Sequence, residues 1–263
     1  MFDDIKLFIH KSTYFLLSRT FKLIRKHDFQ FYNFPPELLT NAIYAVNHSC
    51  KLDIPYACEA INKHCYVLVG KQPLNIIDRV FFKLNGAVWV DRKDKLSRNR
   101  ASFKMIDLLS SGANILLFPE GTWNLTPSKP MLPLYWGIIN IAKQSKKPII
   151  PIVLEYCNEK CIVAFGKSIY INDCYDKKRN IMDLRDAFAS LKWAIWENYT
   201  YCGYNSSKEW EKEIEQRILD YPKLNIEYET SIIRKEFDTD VFALLSDLCP
   251  NRSNAFLFNR RLK

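Results

Sequence analysis

The sequence predicts an α/β protein: a mixed or mostly parallel sheet flanked by helices, with an amphipathic N-terminal helix before it and a helical C-terminal extension after it. Three observations predict this. Apolar runs of strand length, "AIYAV" (42–46), "NILLF" (114–118) and "IIPIVLE" (149–155), alternate with longer segments of helical period. Polar residues gather just after the predicted strand ends. Apolar residues make up 48% of the 263, enough for a substantial core, and glycine is scarce, so disorder does not dominate.

Residues 2–26 read as one helix at 100° per residue. Phe2, Ile5, Ile9, Leu16, Leu17, Phe21, Leu23 and Ile24 define one arc; Lys11, Arg19, Lys22, Arg25 and Lys26 define the other; Lys6, Phe8 and Phe15 break the pattern. An aromatic face opposite a basic one suits the plane of a membrane interface. A helix packed on the core with a solvated basic face fits the same pattern; charges mostly of one sign and the phenylalanines on the apolar face favour the membrane.

Ala42–Val46 is a predicted strand entering the loop that holds His48. A helix follows Asp53, with Pro55 in its first turn, where proline is tolerated. Tyr66–Val69 reads as a strand, Pro73–Leu84 as a helix stopped by Gly86, and Ala87–Val90 as a strand ending in Asp91-Arg92. Lys95–Ser110 is a helix stopped by Gly112, and Asn114–Phe118 a strand ending in Pro119-Glu120-Gly121. Residues 134–146 read as helix, Ile149–Glu155 and Cys161–Phe165 as strands, and the stretch from about 176 to 220 as helices. The expected organisation is a membrane-interface helical segment over 1–35, an α/β core over 36–175 and a helical extension over 176–263.

The formal charge of +9 suits nucleic acid, an anionic membrane surface or anionic substrates. No recognition-helix pattern, finger spacing or aromatic RNA-binding box accompanies it, so nucleic acid is not expected. Eight cysteines occur without a CxxC pair or a His cluster, so no metal is expected and the thiols read as reduced, mostly core residues. The runs Leu38–Cys50 and Pro130–Ala142 are too short and too polar to span a bilayer.

His48, Asp91-Arg92 and Glu120-Gly121 all follow strand carboxyl ends, the edge where open α/β sheets build their sites. A spacing of five on a regular helix is offset by about 140°. His48 and Asp53 therefore pair only if His48 lies in the loop and Asp53 opens the next helix. Asp53 then fixes the tautomer through one ring nitrogen and leaves the other as a base. Taken singly, His48 reads as a loop histidine and Asp53 as a helix cap. A His-Asp pair with no nucleophile of its own suits direct transfer, in which the hydroxyl of a substrate attacks.

Four ordered blocks, "NHSCKLD" (47–53), "GAVWVDR" (86–92), "FPEGT" (118–122) and "KKPIIPIV" (146–153), together with "GKQPL" (70–74), resemble the glycerolipid acyltransferases, the family that includes 1-acylglycerol-3-phosphate acyltransferase. The resemblance spans roughly residues 40–156. It implies transfer of a fatty acyl group from an acyl-CoA or acyl carrier protein thioester to a lysolipid hydroxyl. The thioester is a co-substrate, and no cofactor is implied. It also implies work at a membrane; with the thiols read as reduced and cytosolic, a peripheral location on the cytoplasmic face is expected. Carried over, His48 is the general base and Asp53 orients it. Lys71, Gly86, Asp91, Arg92, Glu120, Gly121, Thr122 and the position of Trp123 contribute to substrate binding, and Pro151 shapes the site.

Trp123 departs from the pattern, because the family's third block usually continues with arginine. Tryptophan offers one N–H donor and no charge. Another cation such as Lys71, Arg92 or Lys129 takes over the phosphate, or the acceptor lacks a free glycerol-3-phosphate group, or activity has been lost on a retained fold.

Overall fold

The computed structural model describes residues 2–35, 39–71, 74, 76–125, 129–157, 159–199, 212, 215–217 and 219. Its centre is a seven-stranded sheet in the order β1-β7-β6-β2-β5-β3-β4. The strands are β1 (Asp28–Asn33), β2 (Ile43–Val46), β3 (Cys65–Gly70), β4 (Val88–Val90), β5 (Asn114–Leu117), β6 (Ile149–Cys157) and β7 (Lys160–Phe165). β2, β3, β4, β5 and β6 run parallel; β7 is antiparallel to β6, and β1 is parallel to β7. The sheet is mixed and mostly parallel, as the sequence predicts.

β2 and β5 are buried along their whole length, which is why they read as continuous apolar runs and not as alternating ones. One face packs against α4 (Lys95–Ser110), α5 (Gly137–Ser145) and α6 (Lys177–Asn198); Met105, Leu109, Ile139 and Phe188 lie in that core. The other face, with Tyr44, Tyr56, Leu116 and Phe165, is covered by α1 (Phe2–Ile24), α2 (Asp53–Ile61) and α3 (Ile76–Leu84). α4 starts where Asp94 accepts hydrogen bonds from Leu96 N and Ser97 N. α2 ends on the left-handed Asn62.

Three expectations change. Residues 28–33 are not part of a helical segment: they form β1, an edge strand whose Phe29 and Phe31 join an aromatic cluster. α1 is turned differently from the predicted arc. Tyr14 and Phe21 face the core, Phe21 against Tyr56, while Phe8, Phe15, Leu16 and Leu23 are exposed. The helix carries a second apolar face, and a two-face assignment missed it. Among the cysteines, Cys50, Cys58, Cys65, Cys161 and Cys174 are free thiols, whereas Cys157 is disulfide-bonded. The predicted helix through residues 200–220 lies mostly outside the described residues, as does Pro73. No described helix is long and apolar enough to cross a membrane.

The topology decides where a site belongs. On leaving β2 the chain goes by way of α2 to β3 on one side, and later adds β6 on the other side. The loop after β2 therefore opens into the crevice where the strand order reverses, at the carboxyl edge of the parallel strands.

Candidate active site

β2 ends at Val46, level with Ile152 of β6; its Ala45 is level with Leu117 of β5. The next residue, Asn47, makes the last ladder bond, its N–H donating to Ile152 O at 3.3 Å, and its side chain then imitates the ladder. Its side chain donates to Leu154 O (3.0 Å) and accepts from Leu154 N (2.7 Å), so the loop is pinned to β6 from its first residue.

His48 follows. Its Nδ1 is 2.8 Å from Asp53 Oδ2. Asp53 is fully buried at the first turn of α2. The same Oδ2 accepts the backbone N–H groups of Ser49 and Cys50 (the latter at 2.8 Å), and Oδ1 accepts the Tyr156 hydroxyl at 2.7 Å. Burial pushes the Asp53 carboxyl up. The His48 hydrogen bond, the charge of His48 and the two backbone donors outweigh that, and hold it below the usual carboxylate value. An ionised Asp53 makes Nδ1 the protonated ring nitrogen, so Nε2 presents its lone pair.

Trp123 meets that lone pair: its indole Nε1–H donates to His48 Nε2 at 3.0 Å. Indole N–H only donates, so the contact independently assigns the same tautomer. The imidazole is stacked on Phe118 (centroids 4.2 Å apart) and meets Trp123 edge-on at 73°. Trp123 is 7% exposed, and the loop behind it is tied back by Asn124 N donating to His48 O at 2.6 Å.

Glu120 braces the loop from below. One carboxylate oxygen accepts His48 N (2.8 Å) and the other accepts Leu132 N (2.9 Å). Burial raises its pKa to about 7, against the lowering effect of those two backbone donors. Both oxygens are engaged and the residue is 2% exposed, so its geometry is that of a support for His48 and not of an open contact for an acceptor. Gly121 adopts φ +70, and a Cβ there would lie 2.5 Å from the Tyr135 ring, so only glycine allows this turn to close on Tyr135.

Neither neighbouring candidate nucleophile is poised. Ser49 Oγ turns to Asp53 Oδ1 at 3.3 Å and the residue is buried. The Cys50 thiol is pushed up to about 12 by burial and then by the charge of Asp53, so it stays protonated.

Lys71, Asp91 and Arg92 stand on the same sheet edge, at the ends of β3 and β4. Lys71 Nζ is 3.9 Å from Asp91 Oδ2. The Arg92 guanidinium lies over Gly70, where a Cβ would come within 3.2 Å of Nη2. Thr122 is half-buried between Gly121 and Trp123. Two predicted residues are elsewhere. Gly86 (φ +75) precedes β4, at the amino edge, where it closes against Tyr66 and His10. Pro151 is buried inside β6, level with Ala45 and three residues short of the His48 level. Both shape the fold at a distance from His48. Tyr156 and Asn47 were not anticipated. Tyr156 is 103 residues from Asp53 in sequence, and no spacing rule links them.

Residues 29–155 match the Acyltransferase family. The chain is 29% identical over 137 residues to 1-acyl-sn-glycerol-3-phosphate acyltransferase alpha of Ovis aries, covering 49% of this chain and 46% of that one. It is 27% identical over 135 residues to the 1-acyl-sn-glycerol-3-phosphate acyltransferase of Saccharomyces cerevisiae, covering 50% and 44%. It thus spans about half the length of the curated relatives it matches. Among solved structures, the 1-acyl-sn-glycerophosphate (LPA) acyltransferase PlsC from Thermotoga maritima aligns with a TM-score of 0.53 at 16% identity, covering 75% of this chain and 83% of that one, a likeness of fold.

Proposed function

We propose that this chain, which matches the Acyltransferase family over residues 29–155, is a glycerolipid acyltransferase: a membrane-surface O-acyltransferase moving a fatty acyl group from an acyl-CoA or acyl carrier protein thioester to the hydroxyl of a lysolipid. The observation that carries this is the His48–Asp53 pair, with its base nitrogen turned away from the carboxylate and no poised nucleophile beside it. The acceptor hydroxyl donates to His48 Nε2. As its oxygen bonds to the thioester carbonyl, the proton passes to Nε2. Collapse of the tetrahedral intermediate breaks the C–S bond, and the thiolate leaves with that proton. Asp53 steadies the imidazolium between these steps.

The cations at the far end of the edge fit a phosphate-bearing acceptor. β3 is two strands from β2 and β4 is three, about 10 and 14 Å at ordinary strand spacing. That is the scale on which a hydroxyl at His48 and a head-group phosphate near Lys71 and Arg92 belong to one lysolipid. An apolar cavity of about 150 Å³ between α1, α2, α3 and β3, lined by Tyr14, Phe21, Ile54, Cys58, Val67 and Phe82, suits an alkyl chain. Ile54, the residue after Asp53 on α2, is part of its lining.

Docking to a membrane is supported by the outer surface of α1 and α3. Phe8, Leu23, Ile76 and Ile77 are 71%, 86%, 79% and 80% exposed, with Lys11, Arg19 and Lys22 among the α1 residues. The cytoplasmic leaflet, rich in anionic lipid, fits that charge.

The test is mass spectrometry of products after the protein and its His48→Ala variant are incubated with acyl-CoA, or acyl carrier protein, and a panel of lysolipids. The expected result is a diacyl product from the wild type, falling about 10²- to 10⁴-fold in the variant. Equal product from both, or none from either with every donor, overturns the reading. A product only from acceptors without phosphate overturns the role given to Lys71 and Arg92.

A further inference from the structure

An acyltransferase that carries its own base faces a chemical problem. Water is present at about 55 M, and a base able to deprotonate a lipid hydroxyl also activates water against the thioester. The departure at position 123 bears on this. The Trp123 indole N–H occupies the one lone pair that has to accept the proton, at 3.0 Å, and the residue is almost wholly buried beside a ring already covered on one face by Phe118. A water at Nε2 and the indole N–H compete for a single acceptor site. The same holds for the acceptor hydroxyl, but a lysolipid brings binding energy from its head group and chain to the exchange, and water brings none.

We propose that Trp123 is a positioning residue that caps His48 Nε2, shielding the base from water until an acceptor hydroxyl takes the place of the indole. This inference rests on the acyl-transfer reading of the site. The suppressed side reaction is complete in itself. The oxygen of water bonds to the thioester carbonyl, its proton goes to Nε2, the C–S bond breaks, and the thiolate leaves with the proton, giving free acid and thiol. Backbone anchors on both sides fix the loop that carries the cap: Asn124 N on His48 O, and Glu120 bridging His48 N and Leu132 N. An arginine at the same position donates to anions and brings a charge. The tryptophan gives up that charge and keeps a single directed donor.

The experiment measures thiol release from acyl-CoA without acceptor, and the ratio of free acid to diacyl product with the preferred acceptor, for wild type, Trp123→Phe and Trp123→Phe/His48→Ala. Phenylalanine keeps an aromatic ring and removes the N–H. Acceptor-independent release is expected to rise about tenfold in Trp123→Phe, the worth of one hydrogen bond, to fall back in the double variant, and to shift the ratio toward acid. An unchanged ratio overturns the proposal. Trp123→Leu replaces the Phe variant if that does not fold. A second readout needs no turnover. In protein labelled with ¹⁵N-histidine, the Nε2 resonance of His48 is expected to move in Trp123→Phe while Nδ1 stays; a stationary Nε2 also overturns the cap. If wild type transfers nothing to any acceptor while Nε2 does move, the acyl-transfer reading fails and the contact itself stands.

Discussion

At the β2 end of the carboxyl edge the charges are buried and held, whereas at the β3–β4 end they stand in solvent. Asp53 and Glu120 are 0% and 2% exposed, and each has named donors on both oxygens. The Lys71 and Asp91 side chains are 76% and 38% exposed and 3.9 Å apart, too far for a hydrogen bond. The difference separates two jobs. Proton transfer needs a ring fixed in one tautomer, which only a dry, fully satisfied network provides. Recognition of a head group needs charges that are open until the ligand arrives. Substitutions at the two ends should therefore fail in different kinetic parameters.

The largest effect is expected from Asp53→Asn. The amide puts an N–H₂ among donors: His48 Nδ1–H, the Ser49 and Cys50 amides and the Tyr156 hydroxyl. To accept that amide the ring has to move its proton to Nε2, where it then opposes the Trp123 N–H. kcat should fall about 10²- to 10⁴-fold with KM little changed. A steady-state comparison in which KM alone rises would place Asp53 in binding and dissolve the contrast.

Glu120 offers a second break within the buried end. Its carboxyl is raised to about 7 in the folded protein, from an ordinary value of 4.5. The folded state then holds a proton that the unfolded state has lost, so stability falls as pH rises from about 5 to about 8. The loss is on the order of 2–4 kcal/mol. His64, lowered by burial to about 4, works in the opposite direction below about 6.5. The difference between wild type and Glu120→Gln in urea unfolding from pH 5 to 8 isolates the Glu120 part. A difference that does not change with pH would mean that Glu120 stays ionised throughout. Asp53, lowered in the folded state, adds stability that is lost only as pH drops through its folded value, and is constant over this window.

What the sequence discloses of this contrast follows the range of each interaction. β2, β5 and β6 are legible because strands buried on both faces read as unbroken apolar runs, and the His48–Asp53 pair is legible because both partners lie on one loop. β1 is missed because "DFQFYN" is a half-exposed edge with no run to detect. Tyr156 on Asp53, Trp123 on His48 and Glu120 under the His48 amide join segments 103, 75 and 72 residues apart. Only the fold brings them together, so block spacing assigns Glu120 to ligand binding when its oxygens are already occupied. Gly86 and Pro151 err in the opposite way: they belong to the same blocks, but the direction of β4 and the length of β6 carry them away from His48.

The smallest effect is expected at the exposed end. Lys71→Ala and Arg92→Ala each remove one charge-assisted contact to a head-group phosphate. The KM for a phosphate-bearing lysolipid should rise about tenfold, with kcat within about twofold. The effect should weaken as ionic strength rises, because these side chains are open to solvent. It should vanish for an acceptor without phosphate. If Arg92→Ala instead lowers kcat as far as Asp53→Asn does, the guanidinium reaches the reacting carbonyl, and the two ends of the edge form one catalytic unit. If neither variant changes KM, the head group lies elsewhere, and Lys71 and Arg92 serve only the surface.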